Sequence, residues 1–399
     1  MNGHATYECS CVVLGSTISD IMPPFLPLRP FVPVATAVIL AIWVVGCSHE
    51  PTPEEVQATR TADSIRVATK ARAHRIDSIE HRFPRIGYRR MVIETTSMLD
   101  SIRRTFAKAP ETMRNYRALT TVNRKDLHYF RVGDTLMLPD SIVDDLRAYS
   151  VFPQYYRDGD TIGKIVFISN KWQAYACYER GELVRFAAAN TGEERKPTFP
   201  GRYAVNWKSR LRLSSLDSNW RLPFTVNFHQ YAGSAFHQFD MPGRPVSHSC
   251  VRQFLTDAEW LFKWVKQGKL DTNRRPIPFT GTTVIILDLF DFTRRRGGAW
   301  WDVSSNKDVV IALPKDAMHV EEALIPISQI PKDVRGALPD RKRYVEAEQI
   351  LRDRGVIREA IALRESINYN KLRQEKRRRA AHEAARRKAE TEKTNPSSE

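Results

Sequence analysis

One stretch of the chain gathers its reactive side chains: Ala235-Phe-His237-Gln-Phe-Asp-Met-Pro-Gly-Arg-Pro-Val-Ser247-His248-Ser249-Cys250-Val-Arg252. A thiol attacks a carbonyl well only as its thiolate, so Cys250 needs a base or a positive field beside it. His237 precedes it across Pro242-Gly243-Arg244-Pro245, a turn sequence able to return the two to adjacent strands or loop edges. Such a pair does acyl transfer, with cysteine as nucleophile and histidine as general base. The helix expected from Thr256 begins too far along to lend its dipole, so activation rests mainly on the histidine. Two other readings compete. A buried structural thiol would explain a lone cysteine, but not this company. A zinc centre from His229, His237, His248 and Cys250 lacks the usual paired ligand spacing. No metal and no organic cofactor is expected, and His229 is read as a strand residue near a cleft rim.

Residues 159–292 must position these groups, and they read as a compact, mainly β domain with one packed helix. Lys164–Ile168, Gln173–Tyr178, Leu183–Ala189, Arg202–Trp207, Leu222–Phe228 and Thr282–Leu287 are short β-type runs between turn residues. The turns are Asn190-Thr191-Gly192 and Pro197-Thr-Phe-Pro-Gly201. A helix is predicted from Thr256 as N-cap, with Asp257 and Glu259 in its first turn and Leu261, Phe262, Trp264 and Val265 inside.

With these residues quoted, a resemblance can be stated. His237, a turn-bearing loop and then Ser247-His248-Ser249-Cys250-Val251-Arg252 resemble the signature of the L,D-transpeptidase (YkuD-type) catalytic domain, a His followed by Ser-His-Gly-Cys-(Val/Ile)-Arg. Thr191-Gly192 and Thr198-Phe-Pro-Gly201 match that family's Thr-Gly and Thr-Pro-Gly-like turn. The likeness spans roughly residues 160–290 and implies a β-rich, sandwich-like fold. It also implies a two-step reaction on peptidoglycan stem peptides. Cys250 attacks the carbonyl of the third residue of a tetrapeptide stem and expels D-Ala. His237 takes the thiol proton and later serves the incoming amine. Backbone amides at Ser249 and Cys250 hold the oxyanion, each worth ~3 kcal/mol in comparable sites. Ser247 helps hold the base, His248 shapes the pocket, and Arg252 meets a substrate carboxylate.

Ser249 departs from the family pattern, which has Gly. A side chain there costs ~1 kcal/mol if φ is positive, or crowds the oxyanion site. That departure keeps a second function class in view: a peptidoglycan-binding lipoprotein without turnover, tethering membrane to wall. A hydrolytic variant (carboxypeptidase or amidase), with water in place of the amine, would use the same residues.

The rest of the chain bears on location. A formal net charge of +16 favours polyanions or anionic surfaces. Nucleic acid would be the first suspect, but an export signal argues against it. Arg29 precedes an apolar run from Val34 to Val45, broken only by Thr36 and ending in Val44-Val45-Gly46-Cys47. The run is shorter than the ~20 residues of a comfortable span, as secretory signals are. The Cys resembles the lipobox of bacterial lipoproteins, which implies cleavage before Cys47 and its lipidation. An uncleaved anchor helix is the alternative, and Met22 is an alternative start. Ser48 is not an acidic retention residue, so the outer membrane is favoured where the host has one.

Within the signal region 1–47, Cys9 and Cys11 then leave with the cleaved leader while Cys47 stays, and Cys177 is read as a buried strand residue rather than a disulfide partner of Cys250. Residues 48–87 read as a polar tether or exposed helix. Residues 88–150 read as a small helical or LysM-like module, because Val132-Gly-Asp-Thr-Leu-Met-Leu-Pro139 resembles the closing half of a LysM-like glycan-binding unit. Residues 293–340 are expected to be a linker with one short strand, Val309–Leu313. Residues 341–399 carry 17 Lys/Arg against 10 Asp/Glu and read as a basic helical or disordered tail. The fold class expected is therefore mainly β with α: a β-rich catalytic domain between a helical or LysM-like N-terminal region and a helical basic tail. Oligomeric state is left open.

Overall fold

The computed structural model describes residues 52–213, 221–330, 332–364 and 369–394. The signal segment and Cys47 lie outside the described residues. The chain divides into two compact units, 1–63 and 64–399. What is described of the first is the opening of helix α1 (Pro53–Glu80), exposed except for the half-buried Val56. It starts with a capping box: Thr52 N–H donates to Glu55 Oε2 (2.7 Å), and Glu55 N–H donates to Thr52 Oγ1 (3.3 Å).

The second unit begins with the remainder of α1, whose Ile76 and Ile79 are buried with Tyr155. Strand β1 (Tyr88–Val92), helices α2 (Thr96–Thr105) and α3 (Met113–Asn123) and strand β2 (Thr135–Pro139) follow. The strands pair antiparallel, Tyr88 opposite Pro139 and Val92 opposite Thr135. Both helices close over that pair around Leu99, Leu119, Phe130 and Leu136. Arg124 ends α3 at φ 57° and turns its guanidinium onto the carbonyls of Val122 and Trp172, both at 3.1 Å. A cation at a helix C-terminus is favourable, and here it is buried.

Strands β3 (Ile165–Ser169), β4 (Ala174–Glu179), β5 (Glu182–Ala188), β6 (Gly201–Ala204), β7 (Trp207–Leu213), β8 (Arg221–His229), β9 (Ser234–Gln238) and β10 (Val251–Gln253), helix α4 (Leu255–Trp264) and strand β11 (Thr283–Ile286) make the β-rich body. They form a five-stranded sheet, ordered β5-β4-β3-β11-β6, and a four-stranded one, ordered β10-β9-β8-β7. Arg202–Trp207, predicted as one strand, changes sheet midway. Val205 N–H donates to Thr282 O (2.9 Å), whereas Asn206 N–H donates to Asn227 O (2.8 Å). The chain thus leaves one sheet and enters the other within two residues. Helix α4 starts at Leu255 with Phe254 as N-cap, two residues before the expected cap, and Thr256 lies inside its first turn.

The five-stranded sheet is buried on both faces, which explains why β3 reads as an unbroken apolar run rather than an alternating one. Val166 and Ile168 face the four-stranded sheet together with Phe228, Phe236, Val251 and Leu261 of α4. Ile165 and Phe167 face the other way, onto Phe152, Tyr156 and Trp300. That second face corrects the expected linker over 293–340. Trp300 and Ala317 are buried, and Ile311 N–H donates to Val151 O (2.7 Å) without any strand forming over Val309–Leu313. The segment is a cover that the sheet requires. Beyond it, helix α5 (Arg341–Asp353) buries Ala347 and Leu351. An arm then leads toward α6 (Tyr369–Thr394), a basic helix whose described side chains are almost all exposed.

A buried ion pair ties α4 to β5. Arg185 Nε donates to Asp257 Oδ1 (3.0 Å), and burial raises the carboxyl pKa even beside the guanidinium. Asp257→Asn is expected to lower the unfolding free energy by ~3 kcal/mol, because it leaves a buried guanidinium unpaired. A shifted denaturant midpoint at unchanged slope is the measurement.

Candidate active site

The stretch from Ala235 to Arg252 occupies the edge of the four-stranded sheet. Strands β9 and β10 run parallel, with Val251 opposite Phe236 and Arg252 opposite His237. Phe236 and Val251 point into the core. With a side-chain period of two, His237 and Arg252 share the opposite face, and Cys250 stands one residue before β10 with its Sγ beside the start of β9. The far edge of β10 is taken by Asn190, which exchanges both backbone hydrogen bonds with Arg252 (3.0 Å each). Next to it, Glu193 N–H donates to Ser247 O (2.9 Å).

That neighbouring turn is tightly built. Thr198 Oγ1 accepts from Gly192 N–H (2.9 Å) and donates to Ser249 O (3.2 Å). A Cβ on Gly192 would lie 2.2 Å from Lys196 O, so only glycine fits. The N-terminal module backs the intervening loop: Asp126 N–H donates to Met241 O (2.8 Å).

His237 is buried, and its Nδ1 lies 3.0 Å from Gln238 O. A carbonyl can only accept, so Nδ1 carries the hydrogen and Nε2 the lone pair. Burial lowers the imidazole pKa to about 4, with the charges of Arg252 and Arg212 adding to the effect against the Gln238 bond. At neutral pH the ring is an uncharged base. Cys250 is half-buried. Its Sγ lies 3.7 Å from Gly233 O, a thiol donating to a carbonyl. Burial raises the thiol pKa, opposed by the Ala235 N–H and by the charges of Lys196, Arg252 and Arg212. The resting pair is therefore neutral thiol and neutral imidazole, with no hydrogen bond drawn between them. Apo cysteine–histidine sites commonly tighten only with substrate bound.

Other expected roles fall out differently. Ser247, expected to steady the base, donates its hydroxyl to the Cys250 carbonyl and so closes the turn that carries the thiol. Arg252, expected to grip a carboxylate, stacks over Phe239 (4.7 Å) and gives its terminal nitrogens to Asp240 O (3.3 Å) and Val246 O (3.4 Å). It braces the loop. His248 is half-buried at the rim, 4.0 Å from Glu193. His229 lies elsewhere: its Nδ1 accepts from Ala232 N–H (3.0 Å), and its ring meets Tyr203. Among the described residues no group of three His, Cys, Asp or Glu is placed to hold a metal ion.

Lys196 was not singled out from the sequence. Only 3% exposed, it puts a charge near Cys250 and His248, yet its neighbours Glu-Glu-Arg read as ordinary surface.

Ser249 sits at φ 72°, the left-handed region that favours glycine. Its hydroxyl is turned away to Ser234 Oγ (2.9 Å), and the residue is buried. The side chain therefore carries backbone strain of ~1 kcal/mol but a hydrogen bond in return. The N–H groups of Ser249 and Cys250 have no hydrogen-bond acceptor among the described residues. Ser249→Gly is expected to change peptide turnover by less than about threefold, since strain relief and bond loss nearly cancel. A gain of a hundredfold in steady-state rate would show instead that serine cripples the site.

Residues 163–286 match the family model of the L,D-transpeptidase catalytic domain (YkuD). Among solved structures, the chain is similar to an L,D-transpeptidase from Mycobacterium smegmatis (15% identity, TM-score 0.26, covering 32% of this chain and 59% of that one). It is also similar to one from Stackebrandtia nassauensis (21% identity, TM-score 0.26, covering 32% and 57%). A third likeness is to one from Xylanimonas cellulosilytica (20% identity, TM-score 0.29, covering 50% and 97%). The chain spans about three-fifths of the length of the M. smegmatis protein. No curated protein matches the chain.

Proposed function

Starting from an L,D-transpeptidase catalytic domain at residues 163–286, we propose that this chain cross-links peptidoglycan through a thioester on Cys250. The observation that supports the proposal is the parallel pairing of β9, which carries the uncharged His237, with β10, which follows directly on Cys250. As sulfur adds to the carbonyl carbon of the third stem residue, His237 Nε2 takes the thiol proton. The N–H groups of Ser249 and Cys250 receive the oxyanion. Collapse breaks the bond to D-Ala, whose nitrogen takes the proton from the imidazolium, leaving the acyl thioester. An acceptor amine then attacks, gives its proton to His237, and displaces the sulfur, which recovers a proton. Ser247 and Arg252 keep the loop in shape, and Lys196 and Arg212 bias the thiol toward thiolate.

The leader motif supports a body tethered outside the cytoplasm by lipid on Cys47, facing the wall. Residues 88–150 support the glycan-binding resemblance through a groove of about 340 Å³ between their Val132–Thr135 turn and the Pro242–Arg244 turn, walled by Trp301. The +16 charge suits an anionic wall, and α6 reads as a solvated helix. Purified protein incubated with disaccharide-tetrapeptide, with products weighed by mass spectrometry, tests the reading. Dimers that have lost one D-Ala per cross-link are expected. Tripeptide alone would make the enzyme a hydrolase. No thiol-dependent product, with wall binding intact, would leave a tethering protein.

A further inference from the structure

Beyond the family-matched segment, an arm following α5 is laid against the Glu193–Arg195 turn beside the signature. Arg364 N–H donates to Arg195 O (2.7 Å), Arg195 Nε donates to Ala362 O (3.1 Å), and Arg358 pairs with Glu194. The arm's Ile357, 4% exposed, anchors it from below. This docking carries the Arg364 guanidinium to the cleft rim. Its Nη1 lies 2.7 Å from Glu193 Oε1 and 3.5 Å from His248 Nε2, and His248 is two residues from the nucleophile. The backbone of Glu193 is itself bonded to Ser247, so the arm and the signature share one support.

One nitrogen of Arg364 meets both neighbours, and the Nε–Nη2 edge donates to nothing among the described residues. The side chain is 46% exposed, with His248 and Glu193 beside it at 32% and 31%. A two-nitrogen edge without an acceptor among the described residues, held at an open rim, is the shape that takes a carboxylate bidentately. Arg252, the arginine inside the signature, is occupied by loop carbonyls.

We propose that Arg364 is a substrate-binding residue, whose Nε–Nη2 edge takes a carboxylate of the peptide that acylates Cys250. The inference rests on the acyl-transfer reading for the identity of the peptide. Stem peptides carry more than one carboxylate, the terminal α-carboxylate and those along the stem, and the chemistry at Arg364 is the same for each.

The test uses the full chain with Cys250→Ala, titrated calorimetrically with a stem tetrapeptide, with its terminal amide and with a stem-amidated form. Arg364→Gln is expected to weaken the tetrapeptide by about tenfold, as loss of a charged hydrogen-bonded pair does. It is expected to leave unchanged whichever amidated form has lost the recognised carboxylate. Arg358→Gln, which removes one half-exposed ion pair and leaves the backbone bonds of the arm in place, is expected to leave affinity within about twofold. Equal weakening of all three peptides, no weakening, no measurable binding by the parent, or an Arg358→Gln loss matching that of Arg364→Gln would each overturn the assignment. Turnover by the chain with Cys250 intact is scored separately. Carboxylate-selective binding without thiol-dependent product would sink the catalytic reading and leave this site standing.

Discussion

Cys250→Ala is expected to abolish release of D-Ala and formation of cross-linked dimers, a loss on the order of 10⁴-fold or more, as for other covalent nucleophiles. Cys250→Ser is expected to fare little better. A hydroxyl holds its proton far more tightly than a thiol, and the base here is weak. The thiol is half-buried and donates a single long bond to Gly233 O, so alanine removes little packing. Melting temperature should therefore stay within a few degrees while product disappears from the mass spectrum. Retained turnover in Cys250→Ala would place the nucleophile elsewhere and dismantle the mechanism.

His237→Gln is expected to lower kcat/KM by roughly 10³-fold, the upper part of the range for a positioned general base. Glutamine keeps much of the ring's bulk and polarity, so the loss measures proton transfer rather than packing. The pH dependence should be equally diagnostic. The imidazole is lowered from its ordinary 6.5 to about 4, and the thiol is raised above its ordinary 9.0. With the base weakened and the thiol proton held more tightly than usual, the resting enzyme is the neutral pair rather than thiolate and imidazolium. Thiolate absorbance near 240 nm should be absent at pH 7, and kcat/KM should stay level from about pH 5 to 9. A bell centred near neutrality would instead report a preformed thiolate–imidazolium pair.

The same depression has a stability consequence. Folding holds His237 neutral, so its contribution is fully present above pH 6.5 and is lost as pH falls toward 4, by up to ~3 kcal/mol. Acid unfolding curves of His237→Gln should lack that component.

Much of the site was legible because its groups are close in sequence. The Ser247–Arg252 run and the upstream His237 carry the thiol and the imidazole on which the proposed chemistry rests, and the Pro-Gly turn between them implies parallel or looped return. The fold class, mainly β with helices at either end, was legible from the alternation of short β-type runs with turn residues. Less legible was where one run ended and another sheet began. Val205 and Asn206 look like one strand because each residue is extended, and only their partners, Thr282 and Asn227, differ.

What the sequence determined by itself, then, is which reactive side chains the short stretch gathers and the β character around it. Both depend on residue types and on spacings of a few positions, where backbone geometry leaves little choice. Tertiary structure decided the rest. It turned the Ser249 hydroxyl toward Ser234, buried Lys196 near the thiol, and committed Arg252 to loop carbonyls. It also folded residues 299–320 over a sheet whose second face could not be left wet, and brought Arg364 back to His248 from far along the chain. These outcomes follow from burying apolar faces and satisfying buried polar groups. Those demands act between segments remote in sequence and leave no local pattern to read.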